Sequence, residues 1–336
     1  MAPPTTPAQS RRTKPRKKQS ASVLATAEAA LAVYVRIVYP FLNVFSIMAA
    51  AAAASYVSQL SLAPVYGDIP SSLFHARNSE LIFALVWLVR VSAAALGVGA
   101  LPFLSLRPAL IPVLVLYTPA ILTTVFRFST EWGAINGPVF TEAATFYPVL
   151  VLSVFAATRR NGVIGITVAT ALAFAVYKLV LDGFIKPQLP AYIGSNIALT
   201  RCGLTHVVGA VFAVLQPSWL LLGAFPALFH SMTVNPMCVF TPALNETLAP
   251  WNHTIIARRE SVTGYVSVLD NTEAGYRVMR CDHSLLGGEW QKAPKGLEHL
   301  ARGGFKEPIY AVFVLLEAVR LVEPGPKNPN PRALTM

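Results

Sequence analysis

The sequence predicts a mostly α-helical, polytopic membrane protein: a helical bundle of about six spans, followed by a short β-hairpin or β-sheet segment and one helix. Of its 336 residues, 54% are hydrophobic and 13% are charged, whereas roughly 25% are charged in a soluble domain. The apolar residues form long uncharged runs, and several runs reach the ~20 residues that a helix needs to cross a bilayer. Near Trp251 the pattern changes to alternating β-branched and aromatic residues, which is typical of strands.

Six apolar stretches are the predicted spans. They run approximately from Ile37 to Ser58, Leu81 to Phe103, Pro108 to Phe128, Ala143 to Ala157, Val163 to Leu181 and Gly203 to Phe229. Pro217 interrupts the sixth stretch, which leaves open whether it is one kinked helix or two half-helices. Clusters of alanine and glycine in the first two stretches predict close helix–helix packing.

The N-terminal tail predicts the orientation in the membrane. Residues 1–22 are rich in Pro, Ser and Thr, and we expect them to be disordered. They carry six basic residues, namely Arg11, Arg12, Lys14, Arg16, Lys17 and Lys18. The positive-inside rule places such a tail in the cytosol, and six crossings return the C-terminus there as well, in a membrane that the sequence does not identify. The sequons at Asn245 and Asn252 are then expected to stay unmodified.

The resulting domain organisation has five parts. These are a disordered basic tail (1–22), a transmembrane helical domain (23–232), a linker (233–250), a β-rich segment with one helix (251–323) and a second disordered tail (324–336). The expected partners are the lipid bilayer and other subunits in a homo- or hetero-oligomer. Nucleic acid is not an expected partner, because no recognisable reading module accompanies the net charge of +11.

Arg90 is a charged residue near the middle of the second predicted span. Such residues usually face the bundle interior, because an unpaired charge in lipid is costly. Three interpretations remain open from the sequence: Arg90 pairs with a carbonyl or polar neighbour, the helix is displaced so that Arg90 lies nearer its end, or Arg90 lines a pore or substrate path.

The three cysteines, Cys202, Cys238 and Cys281, do not indicate a metal site or a disulfide framework. Their spacing contains no CxxC pair and no Cys/His pattern suited to zinc. We therefore expect buried, reduced thiols and no bound metal.

Three C-terminal stretches carry a resemblance to a known family. They are "RESVTGYVSVLDN", "YRVMRCDHSLLGGEW" and "EPIYAVFVLLEAVRLVE". The run from Glu260 to Val322 resembles the N-terminal β-segment and gate helix of spermidine/spermine synthase-like aminopropyltransferases, in particular fungal forms with transmembrane helices. The resemblance implies substrate contacts from Asp282, Glu289 and Tyr310, with a polyamine as substrate in a full-length form.

The sequence also departs from that family. Ser261-Val-Thr-Gly264 stands where the family shows Ser-x-Tyr-Gln, and His283 and Leu286 replace the Gly and Gln of its second motif. After Glu323 the family continues into a glycine-rich donor site, whereas this chain reads Pro-Gly-Pro-Lys-Asn-Pro-Asn-Pro. The sequence therefore predicts that this chain holds no cofactor, although the family's donor is decarboxylated S-adenosylmethionine, and that it has no catalytic residues.

These observations leave three functional hypotheses. The first is a membrane protein of the aminopropyltransferase family, truncated before the donor site and inactive alone. The second is a transporter or channel-like bundle with a regulatory cytosolic segment, which Arg90 and the break at Pro217 favour. The third is a membrane anchor or assembly subunit for another chain.

Overall fold

The architecture is that of a computed structural model, which describes residues 38–97, 108–159, 162–282, 284–293, 296 and 307–310. The basic tail, the helix predicted after Pro308 and the tail at 324–336 lie outside the described residues. Two parts are present: a bundle of helices up to Thr233, and a small antiparallel sheet that begins at His253.

Nine α-helices of eight or more residues precede the sheet in the described residues. They are α1 (Tyr39–Tyr66), α2 (Asp68–Ala95), α3 (Ile111–Ser129), α4 (Gly133–Ala144), α5 (Phe146–Ala157), α6 (Val163–Val180), α7 (Arg201–Leu215), α8 (Phe225–Thr233) and α9 (Thr241–Leu248). Short 3-10 and π turns extend several of them, and helical turns continue α6 as far as Tyr192.

Helix α1 lies at the centre of the bundle. It contacts α2, α5, α6 and α7, and its alanine run makes this possible, because small side chains let neighbouring backbones approach closely. Ala51 and Ala52 are completely buried, as are Ile47 and Met48 one turn earlier. The predicted close packing of this stretch is therefore present in the structure.

Two segments expected to be loops are helical. Helix α2 begins at Asp68, well before the predicted start of the second span at Leu81, and α4 occupies much of the predicted connection before Ala143. Polar residues in both segments suggested exposure, but several of them face each other inside the bundle, where their hydrogen bonds offset the cost of burial.

Four helical segments are long and apolar enough to cross a membrane by length and composition: Tyr39–Tyr66, Asp68–Ala95, Pro108–Ala144 and Val163–Tyr192. Three apolar helices are shorter, namely Phe146–Ala157, Arg201–Leu215 and Trp219–Thr233. The sixth predicted span is thus divided at Pro217 into two helices, which resolves the alternative left open by the sequence. The crossing of a membrane itself stays a prediction.

The sheet has five antiparallel strands in the order β1-β2-β3-β4-β5. They are β1 (His253–Ser261), β2 (Gly264–Asn271), β3 (Tyr276–Cys281), β4 (Ser284–Trp290) and the two-residue β5 (Glu307–Pro308). The first three coincide closely with "HTIIARRES", "VTGYVSVLD" and "GYRVMRCD", the three stretches whose alternating pattern predicts strands. Its small core consists of Ile255, Leu269 and Val278, against which Leu244 and Leu248 of α9 pack.

A disulfide joins Cys202 at the start of α7 to Cys238 after α8, with their Cα atoms 5.4 Å apart. The expectation of reduced thiols is therefore wrong for these two residues, and Cys281 is the free cysteine. The sequence separation of 36 hid the pairing: the helical hairpin of α7 and α8 brings together two cysteines whose spacing matches no recognised pattern.

Candidate functional site

A pocket of about 460 Å³ lies where the sheet meets the bundle. We call it the interface pocket. One wall comes from α1 and α3, and the other walls come from the start of α7, the loop after α8 and the strands. The lining residues used below are Phe126, Arg201, Met237, Arg258, Tyr265 and Asp282.

A buried ion pair connects the bundle to the sheet beside this pocket. Nε of Arg201, the first residue of α7, donates to Oε1 of Glu260 on β1 at 2.6 Å, and the Arg201 backbone N–H donates to the same oxygen at 2.8 Å. Arg201 is 4% exposed and Glu260 is 3% exposed. Since an uncompensated charge at such a depth is strongly unfavourable, each of the two groups depends on the other.

Tyr265 on β2 fixes two guanidinium groups over its ring. The Cζ atom of Arg258 lies 3.8 Å from the ring centroid, and that of Arg201 lies 4.9 Å from it, within the range of cation–π attraction. The Tyr265 hydroxyl donates to the Met237 carbonyl at 2.8 Å. Burial, followed by the nearby charge of Glu260, raises the pKa of Tyr265, so the phenol stays protonated and keeps this bond.

Arg258 holds the loop after α8 against the sheet. Its two terminal nitrogens donate to the carbonyls of Val239 and Pro236, at 3.0 and 2.9 Å. Burial lowers the pKa of Arg258 from its ordinary value, but a guanidinium remains protonated at neutral pH. The half-buried side chain of Arg258 therefore ties this loop to the sheet.

Asp282 lies at the turn between β3 and β4, in a left-handed conformation with φ of 47°. Its Oδ1 accepts from the Tyr265 backbone N–H at 3.2 Å, and its Oδ2 lies 3.6 Å from Nη2 of Arg201. The second contact is a long ion pair rather than a hydrogen bond. Gly264 makes room for this carboxylate, because a Cβ at that position would lie 2.1 Å from Oδ2.

Three buried polar atoms near the pocket have no hydrogen-bond partner in the described part of the chain: Nη2 of Arg201, Oε2 of Glu260 and Oδ2 of Asp282. Native proteins seldom leave such atoms unsatisfied unless water, an ion or a ligand completes them. The donor, Nη2 of Arg201, lies 3.6 Å from an acceptor, Oδ2 of Asp282. This pair suits a ligand that carries both an ammonium and a carbonyl or carboxylate oxygen. The arrangement supports recognition, whereas no side chain here is placed as an activated nucleophile.

A second polar cluster lies inside the bundle and was missed from the sequence. We call it the bundle network; it consists of Ser55, His75, Glu142 and Tyr177. Tyr177 donates to Ser55 at 2.8 Å, the Ser55 Oγ lies 2.6 Å from Nε2 of His75, and Nδ1 of His75 is hydrogen-bonded to Oε1 of Glu142. His75 and Glu142 are each 1% exposed.

The order serine, histidine, carboxylate resembles that of a nucleophilic triad, but the bundle network is enclosed. Its four side chains are 0–2% exposed, so a substrate has no access to them. A sequence signal existed in Ser71, His75 and Ser79, spaced four residues apart on one helix face, all of which are buried. We assign the bundle network to helix packing.

The sequence-predicted site residues do not converge. Asp282 lines the interface pocket, whereas Glu289 lies towards the far end of β4, opposite Arg277, beside a separate groove of about 430 Å³. The Tyr310 hydroxyl donates to the Leu285 carbonyl at 2.8 Å. Among the contacts of the described residues, none joins these three side chains to one another, and their predicted substrate contacts stay predictions.

Arg90 lies near the C-terminal end of α2 rather than at its middle. Its Nη1 donates to the Phe155 carbonyl at 3.3 Å, and its guanidinium lies 5.6 Å from the Phe155 ring centroid. These contacts agree with two of the interpretations left open by the sequence: Arg90 pairs with a carbonyl, and it lies nearer the end of its helix than predicted. In the described residues, no group of three or more His, Cys, Asp or Glu side chains is arranged to hold a metal ion.

Comparison with known proteins gives one informative relative. The chain is 38% identical over 293 residues to the N-terminal histidine N-methyltransferase of Emericella nidulans. The match covers 83% of this chain and 50% of the relative, so the chain spans about half the length of that enzyme. No family model matches the chain, and no solved structure matches it.

This relative corrects the functional expectations drawn from the sequence. It is a methyltransferase by name, so the resemblance to spermidine/spermine synthase-like proteins was misleading, and aminopropyl transfer, polyamine substrates and the transporter alternative are set aside. The expected absence of a cofactor, with decarboxylated S-adenosylmethionine as the family's donor, is wrong as well, because a methyltransferase implies S-adenosylmethionine. The few strand motifs that carried the resemblance cover a small part of the chain.

The described residues do not by themselves form a usual site for that nucleoside. All strand pairs among them are antiparallel. A dinucleotide-type site instead uses a parallel strand that leads through a glycine-rich turn into a helix.

Proposed function

We propose that this chain is embedded in a membrane and takes part in N-methylation of polypeptides that begin with histidine, with the interface pocket receiving the N-terminal residue. The observation that carries this proposal is the 38% identity to the Emericella nidulans enzyme over 293 residues. Four helical segments of membrane-spanning length and composition support the membrane part.

The chemistry of the interface pocket supports the choice of substrate end. A polypeptide N-terminus offers an α-ammonium and, two bonds further along the backbone, the peptide carbonyl of the same residue. Oδ2 of Asp282 is an open acceptor for the ammonium, and Nη2 of Arg201 is an open donor for the carbonyl. Phe126 and Met237 supply apolar surface on which the first side chain can pack.

The volume of the pocket also favours a chain end over an internal segment. A cavity of about 460 Å³ falls in the range that holds one small ligand, which corresponds to one or two residues. The remaining polypeptide would extend into solvent.

The proposal is tested with the full chain in lipid nanodiscs and three peptides of otherwise identical sequence. One begins with histidine, the second with N-acetylated histidine, and the third with alanine. We expect the free histidine peptide to bind at least ~10-fold more tightly than the acetylated one, because a hydrogen bond to a charged group contributes about 1.5–3 kcal/mol. Mass spectrometry after incubation with S-adenosylmethionine then reports methyl transfer to the free histidine peptide.

A matched pair of aspartate variants locates the site. Asp282→Asn should weaken binding by ~10-fold or more, while Asp270→Asn, on the same sheet but outside the pocket, should leave it unchanged. Equal binding of the three peptides together with no methyl transfer would overturn the proposal. Equal loss of binding in Asp282→Asn and Asp270→Asn would show that the interface pocket is not the binding site.

A further inference from the structure

The disulfide requires that the two ends of the α7–α8 hairpin lie on the same side of a membrane. Cys202 lies in the first turn of α7 and Cys238 follows α8, yet their Cα atoms are 5.4 Å apart. A single crossing between them would separate these residues by the ~30 Å of the hydrocarbon core. The sixth predicted span, Gly203 to Phe229, is therefore not one crossing: the chain leaves and returns on the same face.

This changes the parity of the predicted topology. With the first five predicted crossings kept, including the short helix α5 (Phe146–Ala157), the α7–α8 hairpin adds either none or two, so the total is odd. The sheet then lies on the face opposite the basic tail. Arg258 and Arg259 on β1 favour the cytosolic side by the positive-inside rule. The guanidinium of Arg258, however, binds two backbone carbonyls and the Tyr265 ring, so this residue is a poor topological signal.

The chemistry of the disulfide points to the same side. Disulfides persist in oxidising compartments and are rare in the cytosol. Cys238 adjoins Met237, which lines the interface pocket and accepts the Tyr265 hydroxyl. The compartment of the disulfide is therefore also the compartment of the pocket and the sheet.

Two sequons follow the hairpin on that side, and the structure distinguishes them. Asn245, on α9, uses both ends of its amide: Nδ2 donates to the Ile255 carbonyl at 3.2 Å and Oδ1 accepts from the Ile255 N–H at 2.7 Å. Asn252 is exposed in a left-handed turn with φ of 56°, and Thr254 of its sequon is exposed as well. Among the hydrogen bonds of the described residues, the side-chain amide of Asn252 contacts only the side chain of Glu273.

We propose that the sheet and the interface pocket face an oxidising, glycosylating compartment and that Asn252 carries an N-linked glycan. Asn245 is a poorer acceptor because its amide already ties α9 to β1. The inference rests on the membrane part of the proposed function and on the five preceding crossings, but not on the proposed substrate or reaction.

The test uses two threonine variants that leave both asparagines in place. The full chain is expressed in eukaryotic cells and treated with peptide N-glycosidase, and its mobility is compared before and after. We expect the enzyme to shift the mobility of the chain with its natural sequence. This shift should be lost in Thr254→Ala and retained in Thr247→Ala. Both threonines are exposed, so neither substitution should unfold the protein.

A thiol assay provides the second measurement. A maleimide reagent of high mass is applied to the denatured chain with and without prior reduction. We expect one labelled cysteine without reduction and three after it, because Cys202 and Cys238 are paired. Three labelled cysteines without reduction, no glycosidase-sensitive shift, or a shift that persists in Thr254→Ala would each overturn the proposal.

Discussion

The bundle network and the interface pocket contain similar residues, but the network packs helices together whereas the pocket is the proposed binding site. Each combines a buried carboxylate with a basic partner and a tyrosine: Glu142 with His75 and Tyr177, and Glu260 with Arg201 and Tyr265. Each also has a buried carboxylate oxygen without a hydrogen-bond partner in the described residues. What separates them is access, because the side chains of the bundle network are 0–2% exposed, whereas Arg201 and Tyr265 line a pocket of about 460 Å³. Composition alone therefore does not identify a binding site here.

The largest expected effect comes from breaking the ion pair that joins the two parts of the molecule. Glu260→Ala leaves Arg201 buried without its partner, and we expect it to lower the free energy of unfolding by about 3–5 kcal/mol. The sheet should become sensitive to protease before the bundle does. Limited proteolysis and thermal unfolding in detergent measure both effects.

Glu246→Ala, at an exposed position on α9, is the matched control and should leave both readouts unchanged. If Glu260→Ala were as stable as this control, the ion pair would not hold the sheet on the bundle.

A smaller effect is expected from the bundle network. Glu142→Ala removes the acceptor of His75 and of Ser58, and hydrogen bonds inside membrane bundles contribute roughly 0.6–1.7 kcal/mol each. We expect a loss of stability of about 1–3 kcal/mol, with the affinity for the histidine peptide unchanged. Thermal unfolding and peptide titration on the same sample separate the two properties; a loss of affinity at unchanged stability would give the network a functional role.

The smallest effect is expected at an exposed pair on the sheet. Nε of Arg277 donates to Oδ1 of Asp270 at 2.7 Å, and this hydrogen bond lowers the pKa of Asp270. A carboxyl group with a depressed pKa stabilises the folded state above the pKa of the unfolded chain, about 4. That contribution is lost as the pH falls through the folded value.

Asp270→Asn should therefore destabilise the protein slightly at pH 7 and not at all in strong acid. The effect should be small because both side chains are partly exposed. Urea titrations at the two pH values measure it, and an equal destabilisation at both would show that the charge of Asp270 is not its cause.

The sequence predicted the strands in which apolar and polar residues alternate, because burial of one face of the sheet alone causes that pattern. Strands β1 to β3 follow from alternation, because one face of each covers a small core that includes Ile255 and Leu269. Strand β4 was not separated out, since Leu285-Leu286-Gly287-Gly288 has no alternation and glycine disfavours strands. Gly288 is nevertheless required, because a Cβ there would lie 2.5 Å from the Arg277 carbonyl oxygen.

The candidate site could be predicted only in part. Asp282 was identified through a resemblance to a different family, and its carboxylate does line the interface pocket. Its partners Arg201 and Tyr265 could not be anticipated, because they come from α7 and β2 and meet only when the sheet packs on the bundle. His75 and Glu142 were missed for the same reason: their residue types indicated loops, and only tertiary packing buries them.

Photo-cross-linking tests the central claim, the assignment of the interface pocket, most directly. A peptide that begins with histidine and carries a photoreactive second residue is bound to the full chain, irradiated and mapped by mass spectrometry. We expect cross-links in the segments that contain Phe126, Met237 and Tyr265, abolished by excess unlabelled histidine peptide and absent in Asp282→Asn. Cross-links confined to the groove beside Glu289, or cross-links that an N-acetylated competitor removes equally well, would contradict the assignment.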